Sequence, residues 1–139
     1  MKLLLAFLVL SASSFASPTD MSPLTAQWLS DLSFGVGIQG DPPLIVDPGN
    51  GENGANGSFL VKGHPHSSFQ ILLPSNPVSL LHPSGAALTL GSFRSNPASA
   101  AKLDALGSQR VFVGATRGAI PPSLPRGKYR GAFLVTLVY

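Results

Sequence analysis

Two features of one glycine-rich loop carry the patterns of ligand sites. Residues Gly49–Gly54 (GNGENG) match the G-x-G-x-x-G fingerprint of dinucleotide-binding loops. That fingerprint works because its third glycine opens a helix whose N-terminus holds pyrophosphate. Here the loop continues into Ala-Asn-Gly and then a strand pattern, so the sequence favours a turn over a nucleotide site.

The same loop holds oxygen-bearing side chains of the kind that calcium prefers, namely Asp47, Asn50, Glu52 and Asn53. Their spacing fits no EF-hand, and two carboxylates are few for a calcium ion. A weak calcium site is therefore left open and is not predicted. Residues 56–58 (NGS) form a glycosylation acceptor sequence, which has meaning only in a eukaryotic source.

The histidines and serines give no stronger signal for catalysis. His64 and His66 are two residues apart, as zinc ligands on one strand face would be, but Pro65 lies between them and indicates an exposed turn. His82 is distant in sequence. No serine lies in a Gly-x-Ser-x-Gly elbow, and six acids give poor support for a paired-carboxylate hydrolase. We predict no catalytic, metal or cofactor-binding residue, and hence a protein that is not an enzyme.

Composition indicates one β-rich domain. The chain has 139 residues, of which 44% are hydrophobic and only 11% charged, and glycine and proline together number 28. Low charge with so many turn formers disfavours long amphipathic helices, while the apolar content argues against disorder. The absence of cysteine excludes disulfides, thiolate metal sites and a catalytic thiol.

The charges divide the chain into two unequal parts. Residues 17–61 hold five acids and no base, whereas residues 62–139 hold eight bases and one acid. Basic patches attract nucleic acid, but these bases are spread singly and are not interleaved with aromatics, so we expect no nucleic-acid partner. We expect instead that the acidic part pairs with the basic part, either within one molecule or head to tail between molecules.

Residues 1–16 are typical of a signal peptide. Lys2 supplies a positive start, an apolar run follows over 3–10, and Ser14–Ala16 offers small residues for cleavage. The run is too short to span a bilayer, which takes about 20 apolar residues. We therefore expect an exported protein, in the periplasm, at the cell surface or outside the cell, that has no transmembrane segment after the leader is removed.

Residues 17–31 are predicted to be a lead strand or an extended arm. Leu24, Ala26 and Trp28 alternate with polar residues, as on a strand. A helical turn over 24–32 is the alternative, because Leu29 and Leu32 fall at helical spacing from Trp28.

Residues 32–139 are predicted to form the domain itself. Eight or nine short apolar segments occur at about 8–12-residue spacing, separated by glycine and proline turns, which indicates an all-β sandwich or barrel. Residues 87–90 and 91–93 are predicted as two strands, and 96–104 as a loop or one helical turn.

The last thirteen residues predict one long strand. The odd-numbered positions of Gly127–Tyr139 form an apolar row that we expect to face the core: Tyr129, Gly131, Phe133, Val135, Leu137 and Tyr139. An apolar strand needs neighbours on both sides, because an exposed edge invites aggregation.

Landmarks along the chain resemble a known family. They are Leu32–Gly35 (LSFG), Phe59–Gly63 (FLVKG), Phe69–Pro74 (FQILLP), Leu103–Gly107 followed by Val111–Ala115, and Gly127–Tyr139. In order and spacing, from about Leu24 to Tyr139, they are similar to the bacterial exported family called domain of unknown function 4402, related in style to spore-coat-U and chaperone–usher pilin domains. The resemblance implies an immunoglobulin-like β-sandwich of bacterial origin with a surface or appendage role and no catalytic residue. The chain departs from the family in its prolines at 121 and 122 and in lacking a long Thr-rich N-terminal strand.

Two functions follow as hypotheses. The first is a structural or adhesive cell-surface protein, a pilin-like subunit that associates with itself or with other surface subunits by strand addition. Its assembly strand would be formed by Tyr129, Phe133, Val135, Leu137 and Tyr139, and its arm by Leu24, Ala26 and Trp28. The alternative is a self-contained secreted module that binds glycan or protein through loops 47–57 and 116–126.

Overall fold

A computed structural model describes residues 2–4, 8–13 and 23–139 of the chain. The expected cleavage position after residue 16 and the start of the lead segment, residues 17–22, lie outside these described residues. The described residues contain strands and no helix. In chain order the strands are Lys2–Leu4 (β1), Leu8–Ser13 (β2), Thr25–Ser30 (β3), Ser33–Val36 (β4), Leu44–Val46 (β5), Gly57–Lys62 (β6), Ser68–Leu72 (β7), Val78–Leu81 (β8), Ala87–Asn96 (β9), Ala100–Lys102 (β10), Ser108–Arg117 (β11), Lys128–Tyr129 (β12) and Phe133–Val138 (β13).

The strands form a large sheet, a small sheet and a short third sheet. The large sheet has the order β3-β6-β11-β9-β8, with β5 paired to the last part of β11. The small sheet has the order β10-β7-β13-β2, and the third has the order β12-β1-β4. All pairs among β3–β13 are antiparallel. The all-β prediction is confirmed, with eleven strands in residues 23–139 where eight or nine were predicted.

One hydrophobic core lies between the large and small sheets. Period-two alternation places Phe59 and Val61 of β6 on its inner side, and Phe69 and Ile71 of β7 reach it from the opposite sheet. The central strand β11 adds Val111 and neighbouring apolar residues. Burying a side chain of this size contributes about 1.5–3 kcal/mol, so this packing holds the two sheets together.

The prediction of two strands over 87–93 is wrong, because β9 runs without a break from Ala87 to Asn96. The register between β9 and β11 shifts between Gly114 and Thr116, and Ser92 adopts a positive φ of 50°. This is a β-bulge, in which one extra residue bends the strand and leaves pairing intact on either side. The glycine at 91 marks the bulge and does not end the strand.

The prediction of a loop or helical turn over 96–104 is also wrong. Ala100–Lys102 form β10, which pairs with Ser68–Gln70 at the edge of the small sheet. Alanine has low β-propensity, so the pairing with β7 decides the conformation of this segment. Local propensity gives no sign of it.

The predicted terminal strand is broken in two. Its first part, β12, ends at Tyr129, and Arg130 then pairs with Leu81 at the edge of the large sheet. The second part, β13, begins at Phe133 and pairs with β7 of the small sheet. The chain therefore passes from one sheet to the other at Gly131, where an added Cβ would lie 2.6 Å from the Ser79 carbonyl oxygen.

Tyr129 fixes the start of this corner. Its ring is fully buried, and its hydroxyl donates a hydrogen bond of 2.6 Å to the carbonyl oxygen of Pro125, four residues earlier. A buried tyrosine that bonds back to the chain just upstream is the tyrosine corner of immunoglobulin-like sandwiches. Burial raises the pKa of this hydroxyl.

Candidate functional site

The glycine-rich loop is fixed by Asn56 and leads into strand β6 instead of a helix. The Asn56 side chain is 1% exposed. Its Nδ2 donates to the carbonyl oxygens of Pro48 (2.6 Å) and Gly51 (2.8 Å), and its Oδ1 accepts from the Asn53 amide. Because Nδ2 is buried and already bonded, the acceptor sequence at 56–58 is not accessible for glycosylation in the folded domain.

The acids of this loop face arginines on the neighbouring strands. Asp47 lies 3.5 Å from Arg94, and Glu52 lies 3.6 Å from Arg110. Glu52 also accepts a hydrogen bond from Ser58. Within residues 23–139 no three His, Cys, Asp or Glu side chains are grouped as metal ligands. The loop side chains are engaged in holding the loop itself.

The three histidines do not form one cluster. His64 and His66 occupy the turn after β6, where His66 has a positive φ of 63°. His82 lies beside the terminal segment, with its ring centroid 5.1 Å from that of Tyr129 and its Nε2 3.0 Å from the Arg126 carbonyl oxygen. His82 thus packs the tyrosine corner.

The loop over 116–126 is anchored by a buried arginine that the sequence analysis did not single out. Arg117 is 3% exposed and donates to the carbonyl oxygens of Pro42 and Gly118. Burial lowers the pKa of its guanidinium, and the nearby Asp41 carboxylate opposes that effect. Ile120 is buried as well. Both loops suggested for ligand binding are therefore bound to the body of the domain.

Within residues 23–139, the terminal strand β13 has a strand partner along one edge only. On one side, Thr136–Val138 pair antiparallel with Gln70–Leu72 of β7. On the other side, the whole of β13 pairs in parallel with β2, in a register that runs from Phe133 opposite Leu8 to Val138 opposite Ser13. Among the described strands, Phe133–Val135 have a partner only in β2. β2 lies within the residues expected to be a leader, and among residues 23–139 no other strand pairs with this edge of β13.

The position beside β13 continues between β12 and β4, where β1 lies. In β1, Lys2 and Leu3 pair in parallel with Lys128 and Tyr129 of β12, and antiparallel with Val36 and Gly35 of β4. We call the position between β12–β13 and β4, filled by β1 and β2, the strand slot. At one end of this slot a strand lies between β12 and β4. At the other end it lies along β13.

The strand that borders the slot, β13, has an apolar buried face. Phe133, Val135 and Leu137 are buried in the full chain, with 0% exposure at Val135. The Trp28 ring makes edge contacts with Phe59 (5.3 Å between centroids) and Phe133 (6.3 Å). The Trp28 Nε1 is buried and has no hydrogen-bond partner within the described part of the chain.

The residues predicted as an arm lie in the domain's own sheet. Strand β3 pairs antiparallel with β6, with Ala26 opposite Val61 and Trp28 opposite Phe59. Leu24 is buried just before the strand. The segment 25–30 is thus a strand and not a helical turn, and a free arm would have to come from residues before it.

The residues predicted as the assembly strand all face the domain's own core. Tyr129, Phe133, Val135 and Leu137 are buried in the core, and Tyr139 packs against it. The part that a partner could reach is the backbone edge beside these side chains. The sequence predicts the strand and does not predict the second border of the slot, β4, because β4 is joined to β12 only through β1.

Comparison with known proteins gives one match. The family model described as "Domain of unknown function (DUF4402)" matches residues 44–139. That range includes the terminal strand and starts after the LSFG landmark at 32–35. No curated protein and no solved structure matches the chain. In the described residues there is no helix long and apolar enough to cross a membrane.

Proposed function

The chain belongs to the DUF4402 family, and from the geometry of its terminal strand we propose that it is an exported, non-enzymatic structural or adhesive protein of the cell surface. In this proposal its strand slot accepts an extended segment of another surface subunit. The single observation that carries the proposal is the pairing of β13 along its full length with a strand from outside the domain proper.

The backbone along the slot requires a partner. Buried N–H and C=O groups are nearly always hydrogen-bonded in folded proteins. Each backbone hydrogen bond contributes about 0.5–1.5 kcal/mol net, so an inserted strand of six residues adds several of them at once. An unpaired edge on an apolar strand is unfavourable in water and binds strands from other chains.

The chemistry of strand addition fits the alternation of β13. Main-chain bonds to Phe133–Val138 supply affinity in such contacts, and pockets for alternate side chains supply specificity. The exposed side chain of Leu134 lies outside the core, so the domain uses one face of this strand for itself. The backbone edge of β13 remains for the partner.

The donor is better sought in a different subunit than in the arm of an identical copy. Between the expected cleavage site and β3 the sequence is SPTDMSPL, with prolines at 18 and 23. Proline has no N–H to donate to a ladder. The four residues between these prolines are too few to cover the six of β13, and only one of them is apolar.

Light scattering tests the proposal with two chains, one beginning at Ser17 and one at Pro23. Both keep β3 and the slot, and only the first keeps the residual arm. We expect both chains to associate at micromolar concentration, because the unpaired edge of β13 pairs with the same edge of another copy when no donor segment is present. A stable monomer that binds no extended segment, and whose melting is the same with and without the leader, would rule the proposal out. Association of the first chain alone would place the donor in residues 17–22.

A further inference from the structure

The strand slot is filled by the chain's own leader. β1 and β2 together follow the terminal segment from Lys128 to Val138, with the register shifted by one residue across the corner at 130–132. We propose that this segment is an internal placeholder: while it is attached the slot is closed, and its removal opens the slot to a partner. This inference rests on the proposed function and concerns the regulation of the same site.

The geometry of the placeholder supports this role. At one end β1 lies between β12 and β4, so that Lys2 is opposite Lys128 on one side and Val36 on the other. At the other end β2 covers Phe133–Val135, which no other described strand pairs. A strand held on both sides closes the slot to competitors more completely than one laid on a free edge.

The placeholder also defines the partner that replaces it. The incoming segment is extended, at least six residues long, free of proline at the ladder positions, and parallel to β13 as β2 is. Parallel strands cannot be joined by a tight hairpin, so a segment in this direction cannot be supplied by a short turn after Tyr139. In keeping with the proposed function, the partner strand is then supplied by another chain.

The experiment uses the full chain made resistant to leader cleavage. The test variant carries Val9→Pro and Leu10→Pro together. Successive amides of a strand point to opposite sides, so one of the two amides removed is the one that faces β13. The matched control carries Val9→Ala and Leu10→Ala. Both variants retain the length of the leader.

We expect the cleavage-resistant chain and the alanine control to be monomers that do not bind an added partner segment. The proline variant should associate as the Ser17 chain does, and a synthetic peptide of residues 2–13 should reduce association of the Ser17 chain at least fivefold. Equal association of the proline and alanine variants would overturn the placeholder. If the Ser17 chain associates and the peptide has no effect, the placeholder fails while the proposed function stands.

Discussion

Tyr129 fixes the chain at the point where the terminal segment begins. Its hydroxyl bonds to the Pro125 carbonyl from a fully buried ring. Tyr129→Phe should lower the free energy of unfolding by about 1–2 kcal/mol, since the carbonyl loses its donor. Urea unfolding measures this, with Tyr139→Phe, the chain's other tyrosine, as the control. A loss equal to that of the control would contradict the tyrosine corner.

The same hydroxyl predicts a pH dependence. Burial raises the folded-state pKa of Tyr129 above its ordinary value near 10. Above about pH 10 the unfolded state therefore loses its proton first, and stability falls as pH rises through the folded-state pKa. Below about pH 10 this contribution is fully present. Unfolding between pH 9 and pH 11 should show the decline in the wild-type chain and less of it in Tyr129→Phe.

Asn56 holds the glycine-rich loop by three hydrogen bonds to the backbone. Asn56→Ala leaves two carbonyls and one amide without partners and should cost about 2–4 kcal/mol. Asn56→Asp should also destabilise, because it turns an acceptor toward the carbonyls of Pro48 and Gly51. Asn50→Ala, an exposed change in the same loop, should stay within about 0.5 kcal/mol in the same thermal or urea unfolding measurement. Equal effects at positions 50 and 56 would contradict this account.

At the scale of elements, the corner between β12 and β13 is set by close packing at Gly131. A Cβ there would lie 2.6 Å from the Ser79 carbonyl oxygen and 3.1 Å from the Leu80 side chain. Gly131→Ala should therefore lower stability by about 1–3 kcal/mol. Gly91→Ala, where a Cβ meets nothing within 4 Å, is the control in β9. A harmless Gly131→Ala would mean that the corner is looser than this packing implies.

The sequence predicts the elements whose patterns are local. Alternation at 59–61, 69–73 and 133–137 reports which face is buried, because the side-chain period of a strand is two. The sequence does not predict β10, because alanines at 100 and 101 have no β preference of their own. It also misses the break at Gly131, because the change of sheet depends on pairing with distant strands, Arg130 with Leu81 and β13 with β7.

The sequence predicts one border of the strand slot and not the other. An apolar terminal strand that needs neighbours can be read from residues 127–139. The second border of the slot, β4, cannot be read from these residues. Gly35 and Val36 lie more than ninety residues before β12 in the sequence and are joined to β12 only through β1. Arg117 was missed for the same reason, since its burial depends on the carbonyl of Pro42.

At the scale of the whole molecule, the acidic and basic parts of the chain meet within one domain. Both ion pairs between side chains of residues 23–139 join an acid of the glycine-rich loop to an arginine of β9 or β11. Pairing of the two parts within one molecule thus accounts for Asp47 and Glu52. The acids and bases do not need a head-to-tail contact, and assembly rests on the strand slot.

Amide hydrogen exchange in the isolated chain beginning at Ser17 tests the slot most directly. Amides of Phe133–Val135 have a strand partner only in β2 among the described strands. Without the leader they should exchange on the order of 100-fold faster than amides in the centre of β11, because their bonds open without global unfolding. Restored protection on adding a strand-donating peptide would support the account. Protection of 133–135 equal to that of β11 in the free monomer would contradict it.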